Sequence, residues 1–145
     1  MSHIHATERS GAAYFADPPA GPVVMLNLLR FAETADYSAS PELDPDEPIS
    51  GRAAYARYSE HTLPLLAAAG GRVIFSGSAE HFLIGPMEEA WDHVLLVRYP
   101  SAQAFLGFAS DSAYLAGAGH RTAALADSRL LPMTPEGDEG ADQPS

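Results

Sequence analysis

WDHVLLVRYPSAQAFLGFASDSAYLAGAGHR, residues 91–121, decides the fold. An apolar run stops at Pro100, which cannot continue a strand interior, and Ser101 is placed to cap a helix. That predicts a strand over Asp92–Tyr99 and a helical region from 101 to about Leu125, interrupted near Gly117 and Gly119. Upstream, GPMEEA (85–90) reads as a turn and Arg72–Gly85 as a second strand, bent near Gly77. So short a connection makes these two strands antiparallel, because a parallel pair needs a crossover of about a dozen residues. Gly70-Gly71 ends a helix from Arg52 to Ala69, capped by Ser50, with Pro64 expected to kink it. Its buried stripe is Tyr55, Tyr58, Thr62, Leu65, Leu66 and Ala69, at helical spacing. Before it stand a strand at Pro22–Phe31 and a short helix at Thr7–Ala16, and after 125 a last strand at Ser128–Thr134, with Pro132 marking an edge.

The order β-α-β-β-α-β behind an extra N-terminal helix is the split βαβ arrangement, an α+β fold with an antiparallel sheet. Two of its strands are apolar on both faces. Trp91, His93, Leu95, Val97 and Tyr99 alternate with Val94, Leu96 and Arg98, and Val23, Met25, Leu29 and Phe31 alternate with Val24, Leu26 and Leu28. Two helices cover one face, so the other needs a cover, and the simplest is a second copy. A homodimer through the sheet faces is the expectation.

The net charge of −11 is not spread evenly. Residues 32–50 hold six acids and no base, residues 135–145 hold four acids and no base, and the remainder holds nine acids against eight Arg. Both segments are poor in large apolar residues, so they read as a solvated insertion and a disordered acidic tail around a single domain, residues 1–134. A nearly neutral body without a basic patch argues against nucleic acid. A cation held by Asp44, Asp46 and Glu47 would lack the glycine and spaced oxygens of a calcium loop. There is no Cys, no apolar stretch of membrane-spanning length and no basic-then-apolar leader at the start, which points to a soluble cytoplasmic protein.

VMLNLLRF (24–31), Gly70-Gly71-Arg72, LIGP (83–86), WDHVLLVRYPS (91–101), AYL (113–115) and HRTAALADSRLL (120–131) resemble the domain of unknown function 1330 family. The likeness runs over about residues 8–133, and the insertion at 32–50 is longer than in the simplest members. The resemblance implies membership of the dimeric α+β barrel superfamily, a ferredoxin-like protomer and a ligand pocket between sheet and helices. It implies no particular reaction.

Asn27 interrupts an apolar strand, either as a pocket amide holding a carbonyl or carboxylate or as a buried amide bonded to backbone. His120 stands near a helix start, where the dipole disfavours imidazolium, so it is a candidate base or acid, or a hydrogen-bonded cap. Arg121 beside it could anchor an anion. Arg98 needs a carboxylate, from Asp92, Glu60 or a ligand. Tyr58 and Tyr114 offer phenols on the helices facing the sheet, as ligand contacts or as core. His81 and His93 flank the 85–90 turn and with Asp92 could approach a metal, but no third ligand is assured, and no metal is expected. Ser76 and Ser78 lack the setting of a hydrolase nucleophile, and GAGH (117–120) is no phosphate loop.

The leading reading is a small-molecule protein with a cofactor-free pocket, performing proton transfer on a polar or carboxylated metabolite. His120 and Asn27 would be its catalytic residues and Arg98, Arg121, Tyr58 and Tyr114 its ligand contacts. A non-catalytic binder or accessory dimer module needs only the pocket and the sheet interface. A remote third reading is haem, which some relatives on this fold bind through a helical His.

Overall fold

A computed structural model describes residues 2–136. Of the expected acidic tail, residues 137–145 lie outside the described part. The elements run α1 (Glu8–Ala16), β1 (Val23–Phe31), α2 (Gly51–Ala68), β2 (Arg72–Ser78), β3 (His93–Tyr99), α3 (Ala102–Ala109), α4 (Ser112–Leu115), α5 (Ala118–Ala124) and β4 (Leu125–Met133), with a 3-10 turn at Pro41–Leu43. The sheet order is β2-β3-β1-β4, and every neighbouring pair is antiparallel. With its helices on one side this is the ferredoxin-like split βαβ topology.

Local chemistry sets the boundaries. Ser50 and Ser101 cap α2 and α3, each hydroxyl accepting from a backbone N–H three residues on, at 3.0 and 2.9 Å. α2 runs on through Pro64 and stops where Gly70 takes a φ of +86°, a left-handed conformation suited to glycine. The predicted second strand is too long: the regular ladder ends at Ser78 opposite His93, and beyond it only an isolated bridge, His81 to Ala90, ties the hairpin together. The bend expected near Gly77 is displaced: the ladder is regular there, opposite Val94, and the bulge lies between Val73 and Phe75. The helical region after Ser101 is three short helices, because Ser110-Asp111 recaps the chain before α4 and Gly117 before α5. β4 begins at Leu125, three residues earlier than expected, directly out of α5.

One expectation of loose chain is corrected. The insertion at 32–50 is folded onto the start of α2 and the end of α5. Ala32 N–H donates to Ala124 O at 2.8 Å, Asp36 N–H to Ala123 O at 2.9 Å and Gly51 N–H to Ala32 O at 3.0 Å. A Cβ on Gly51 would collide with the backbone of Ala32 and Ala124. Tyr37 is buried, Ala35, Leu43 and Ile49 pack beneath the insertion, and its six acids face water. Residues 3 and 4 are pinned as well: His3 N–H donates to Asp127 Oδ1 at 2.7 Å, and Arg121 Nη1 donates to Ile4 O at 2.8 Å.

The helix-facing side of the sheet carries Val23, Met25, Asn27 and Leu29 of β1 and Leu95, Val97 and Tyr99 of β3. The other side carries Val24, Leu26, Leu28, Val94 and Leu96, with Leu131 and Phe75 55% and 53% exposed at its flanks. One corner of this open side is closed by Trp91, 2% exposed, with Arg30 and Arg129 at 5.0 and 4.9 Å from its ring and Asp127 accepting from Arg129 at 2.8 Å.

Candidate functional site

The apolar core is in two parts. One gathers Val23, Met25, Leu66, Val97, Tyr99 and Phe108. The other gathers Leu29, Tyr37, Ala54, Tyr55, Ala123 and Leu125. α2 spans both, with Tyr55 in the second part and Leu66 in the first, and between them its inward positions are Tyr58 and Thr62. The residues at this seam are polar.

Tyr58 packs against the second part of the core and Tyr114 against the first, and their hydroxyls meet across the seam at 3.0 Å. Burial and the neighbouring Tyr114 push the Tyr58 phenol far up, and burial pushes Tyr55 up to about 12. These phenols are therefore proton donors over the whole physiological range, not bases. Thr62 is 6% exposed, and its hydroxyl finds no partner among the described residues. An unmade hydrogen bond of this kind costs about 1–3 kcal/mol.

Below them, Asn27 Nδ2 donates to Met25 O and Leu95 O, both at 3.3 Å. Its donors are engaged by the sheet, and what remains for a ligand is the amide oxygen. Asn27 pairs with Leu130 on one side and with Leu95 on the other, and Leu95 pairs with Ser76. Directly opposite residues share a face, so Leu130, Asn27, Leu95 and Ser76 form one row across the sheet beneath the helices. Leu130 is 44% exposed and Ser76 is exposed, so the row is open at both edges.

His120 lies elsewhere. Its Nδ1 is 2.7 Å from the Tyr37 hydroxyl, ring edge to ring face, and its electrostatic neighbours are Arg57 and His61 on α2. Burial first, then the electrostatic effect of Arg57 and His61, holds it below the usual imidazole range, which favours the neutral ring at pH 7. Arg121 spends a donor on Ile4 O, while its charge acts on Tyr55 and Tyr58. Arg98 pairs with Val24 and Arg72 on the open face, away from Asn27. The carboxylate of Asp92 accepts from Phe31 N–H at 2.8 Å. Of the six residues expected to form a site, Tyr58 and Tyr114 touch one another, and Asn27 shares the helix side of the sheet with them. His120 and Arg121 belong to α5 and to the segments packed over it.

His81 and His93 do not meet: His81 Nδ1 lies 3.1 Å from Met87 O, and His93 Nε2 lies 3.0 Å from Ser76 Oγ. Among the described residues no three His, Asp or Glu gather closely enough to hold a metal, and no helix is long and apolar enough to cross a membrane. Sequence reasoning placed Thr62 in the helix stripe without a role, and it passed over Tyr37 and Arg52. Thr62 had a signal, a hydroxyl in an otherwise apolar stripe. Tyr37 had none, because an irregular loop carries no period.

No curated protein matches the chain. Two crystal structures of RPA0582 do, a protein of unknown function from Rhodopseudomonas palustris. The methylated form is 37% identical over 94% of this chain and 96% of its own, with a TM-score of 0.84. The other is 38% identical over 94% and 99%, with a TM-score of 0.83. A structure from Bacteroides fragilis, described as a dimeric protein of unknown function with a ferredoxin-like fold, is 11% identical over 79% of this chain and 96% of its own, with a TM-score of 0.49. The profile of the domain of unknown function DUF1330 matches residues 47–132. The chain belongs to the DUF1330 family, whose function is unknown.

Proposed function

We propose that the protein is a homodimeric small-molecule binder whose ligand lies in the polar seam between sheet and helices. Asn27, Tyr58, Thr62 and Tyr114 are its polar contacts. The observation that carries this reading is Thr62, a hydroxyl inside the fold without a partner, set where the apolar core divides. The seam offers one phenol proton, the other being given within the Tyr58–Tyr114 pair, with the Thr62 hydroxyl as a second donor and one amide oxygen as acceptor. That set suits a compact ligand with a carbonyl or carboxylate oxygen.

The dimer rests on a separate observation, the open face of Val24, Leu26, Leu28, Val94 and Leu96. An uncovered apolar surface of this kind is costly in water, and a second copy related by a two-fold axis covers it.

The test is a thermal-shift screen of small keto and carboxylic acids against the wild type, Thr62→Val and Tyr58→Phe. A compound that raises Tm of the wild type and fails on both variants supports the seam. A shift that persists in both variants places the ligand elsewhere and ends this reading.

One arrangement favours proton transfer as a second reading: His120, bonded to the Tyr37 hydroxyl and held by burial below the usual imidazole range. For His120 to serve as a base toward a ligand, its bond to Tyr37 must open. In that case His120→Gln abolishes turnover of a hit compound while leaving its binding intact. Unchanged turnover in this variant removes the reading.

A further inference from the structure

The β2 edge of the sheet holds a second polar group, on the helix side and away from the open face. The Arg52 guanidinium, in the first turn of α2, lies over the Phe31 ring, 4.7 Å from its centroid. The Phe31 ring stands 6.4 Å from the His93 imidazole, and His93 Nε2 is 3.0 Å from Ser76 Oγ. Four side chains from α2, β1, β3 and β2 thus follow one another toward the edge, with Arg52 exposed at the inner end, Ser76 exposed at the outer end and His93 half-buried between them.

The charges here are unbalanced. Among the described residues Arg52 makes no ion pair with a carboxylate, and its recorded contact is the face of Phe31. The nearest acid in sequence to His93 is Asp92, whose Oδ2 accepts from Phe31 N–H. Burial, then the Arg52 charge, lowers the pKa of His93. An arginine and an imidazole that both contact the Phe31 ring, with a hydroxyl bonded to the imidazole and no carboxylate paired with the arginine, make an arrangement in want of an anion. A guanidinium laid on a ring has also lost part of its hydration and part of its rotamer freedom before any ligand arrives.

We propose that Arg52, His93 and Ser76 form a binding site for a carboxylate or phosphate group of a small ligand. Arg52 supplies the charge and a planar pair of donors; with His93 protonated, its Nε2–H donates to Ser76 Oγ, which leaves the Ser76 hydroxyl and the His93 Nδ1–H for the ligand. Ser76 also ends the row that runs beneath the helices from Leu130 through Asn27 and Leu95. The anionic end of a ligand would therefore sit at the β2 mouth of that row. The inference stands apart from the seam: an anion can be held at this edge whether or not the seam is filled.

The experiment is an NMR titration of the His93 imidazole in the full chain, assigned with His93→Gln, in sodium sulfate and in sodium chloride at matched ionic strength. Sulfate is expected to raise the His93 midpoint, and Arg52→Gln to weaken sulfate binding about tenfold, the loss of one charge-assisted contact. Ser76→Ala is expected to weaken it several-fold. Both variants replace exposed side chains, and an unchanged circular dichroism spectrum confirms the fold. Methyl phosphate and acetate at equal concentration then separate the two ligand chemistries by which moves the midpoint further. A midpoint identical in sulfate and chloride overturns the site, as does a sulfate shift of full size in Arg52→Gln.

Discussion

Each face of the sheet carries some residues that the usual logic of burial assigns to the other. The face under the helices carries Asn27, His93 and Ser76 among its apolar residues, and α2 adds Thr62 and Tyr58 from above. The face with no cover carries Val24, Leu26, Leu28, Val94 and Leu96 in an unbroken block. Apolar surface belongs out of water and polar groups belong in it unless paired. Each face is therefore incomplete in its own way. The open face lacks an apolar partner, and the covered face lacks a polar one. On the reading proposed above, the difference separates the surface that assembles the protein from the one that holds its ligand.

The comparison breaks most sharply at the open face. Leu26→Arg sets a charge at its centre, and the mass by light scattering is expected to fall from dimer to monomer at micromolar concentration. A wild type that is already monomeric would sink the assembly half of the comparison. The corner of the same face is next. Asp127 is buried and accepts from His3 N–H, Ser128 N–H and Arg129, which together outweigh burial and keep its carboxyl ionised below the usual range. Asp127→Asn should cost about 1.5–3 kcal/mol, the worth of hydrogen bonds to a charged acceptor, read as a lower urea midpoint at pH 7. No loss would mean that the polar corner is solvated surface.

The covered face answers to smaller changes. Thr62→Val deletes an unpartnered hydroxyl and keeps the shape, so stability should stay within about 1 kcal/mol of the wild type or rise. A larger loss in the thermal melt would show that the hydroxyl has a partner. The smallest effect is on pH. His93 and His120 both have folded pKa values below the ordinary value of about 6.5. The unfolded chain therefore takes up their protons first. Stability is full above pH 6.5 and is lost as pH falls toward the folded values. Denaturant midpoints at pH 7.5 and 5.5 should differ less in the His93→Gln, His120→Gln double variant than in the wild type.

Much of the fold was legible because it is written in short-range chemistry. Ser50, Ser101 and Gly70-Gly71 mark the ends of α2 and α3 where they occur, and the alternation along Val23–Phe31 and His93–Tyr99 is that of real strands. The breaks between α3, α4 and α5 were less legible, since Asp111 works as a cap only once Ser110 has already ended the helix before it. The insertion was misread for a physical reason: its six acids dominate the composition, yet Tyr37, Leu43 and Ile49 do the packing. The candidate site was legible in its residue types and not in its grouping. Tyr58 and Tyr114 were named together and do touch. Arg98 was named with them, and the parity of β3 sends it to the other face. His93 with Ser76 required a register that a bulge at Val73/Phe75 had shifted.

The docking of the first residues bears on the order in which the chain can fold. His3 binds Asp127, 124 positions away, and Ile4 is held by Arg121. During synthesis these residues emerge before the strand and helix that receive them. The N-terminal segment must therefore wait, unpaired, until β4 has joined β1, and its docking should be among the final steps, as contacts of long sequence separation form late. Any bulky group fused immediately ahead of His3 would act on that last step and leave the earlier ones untouched.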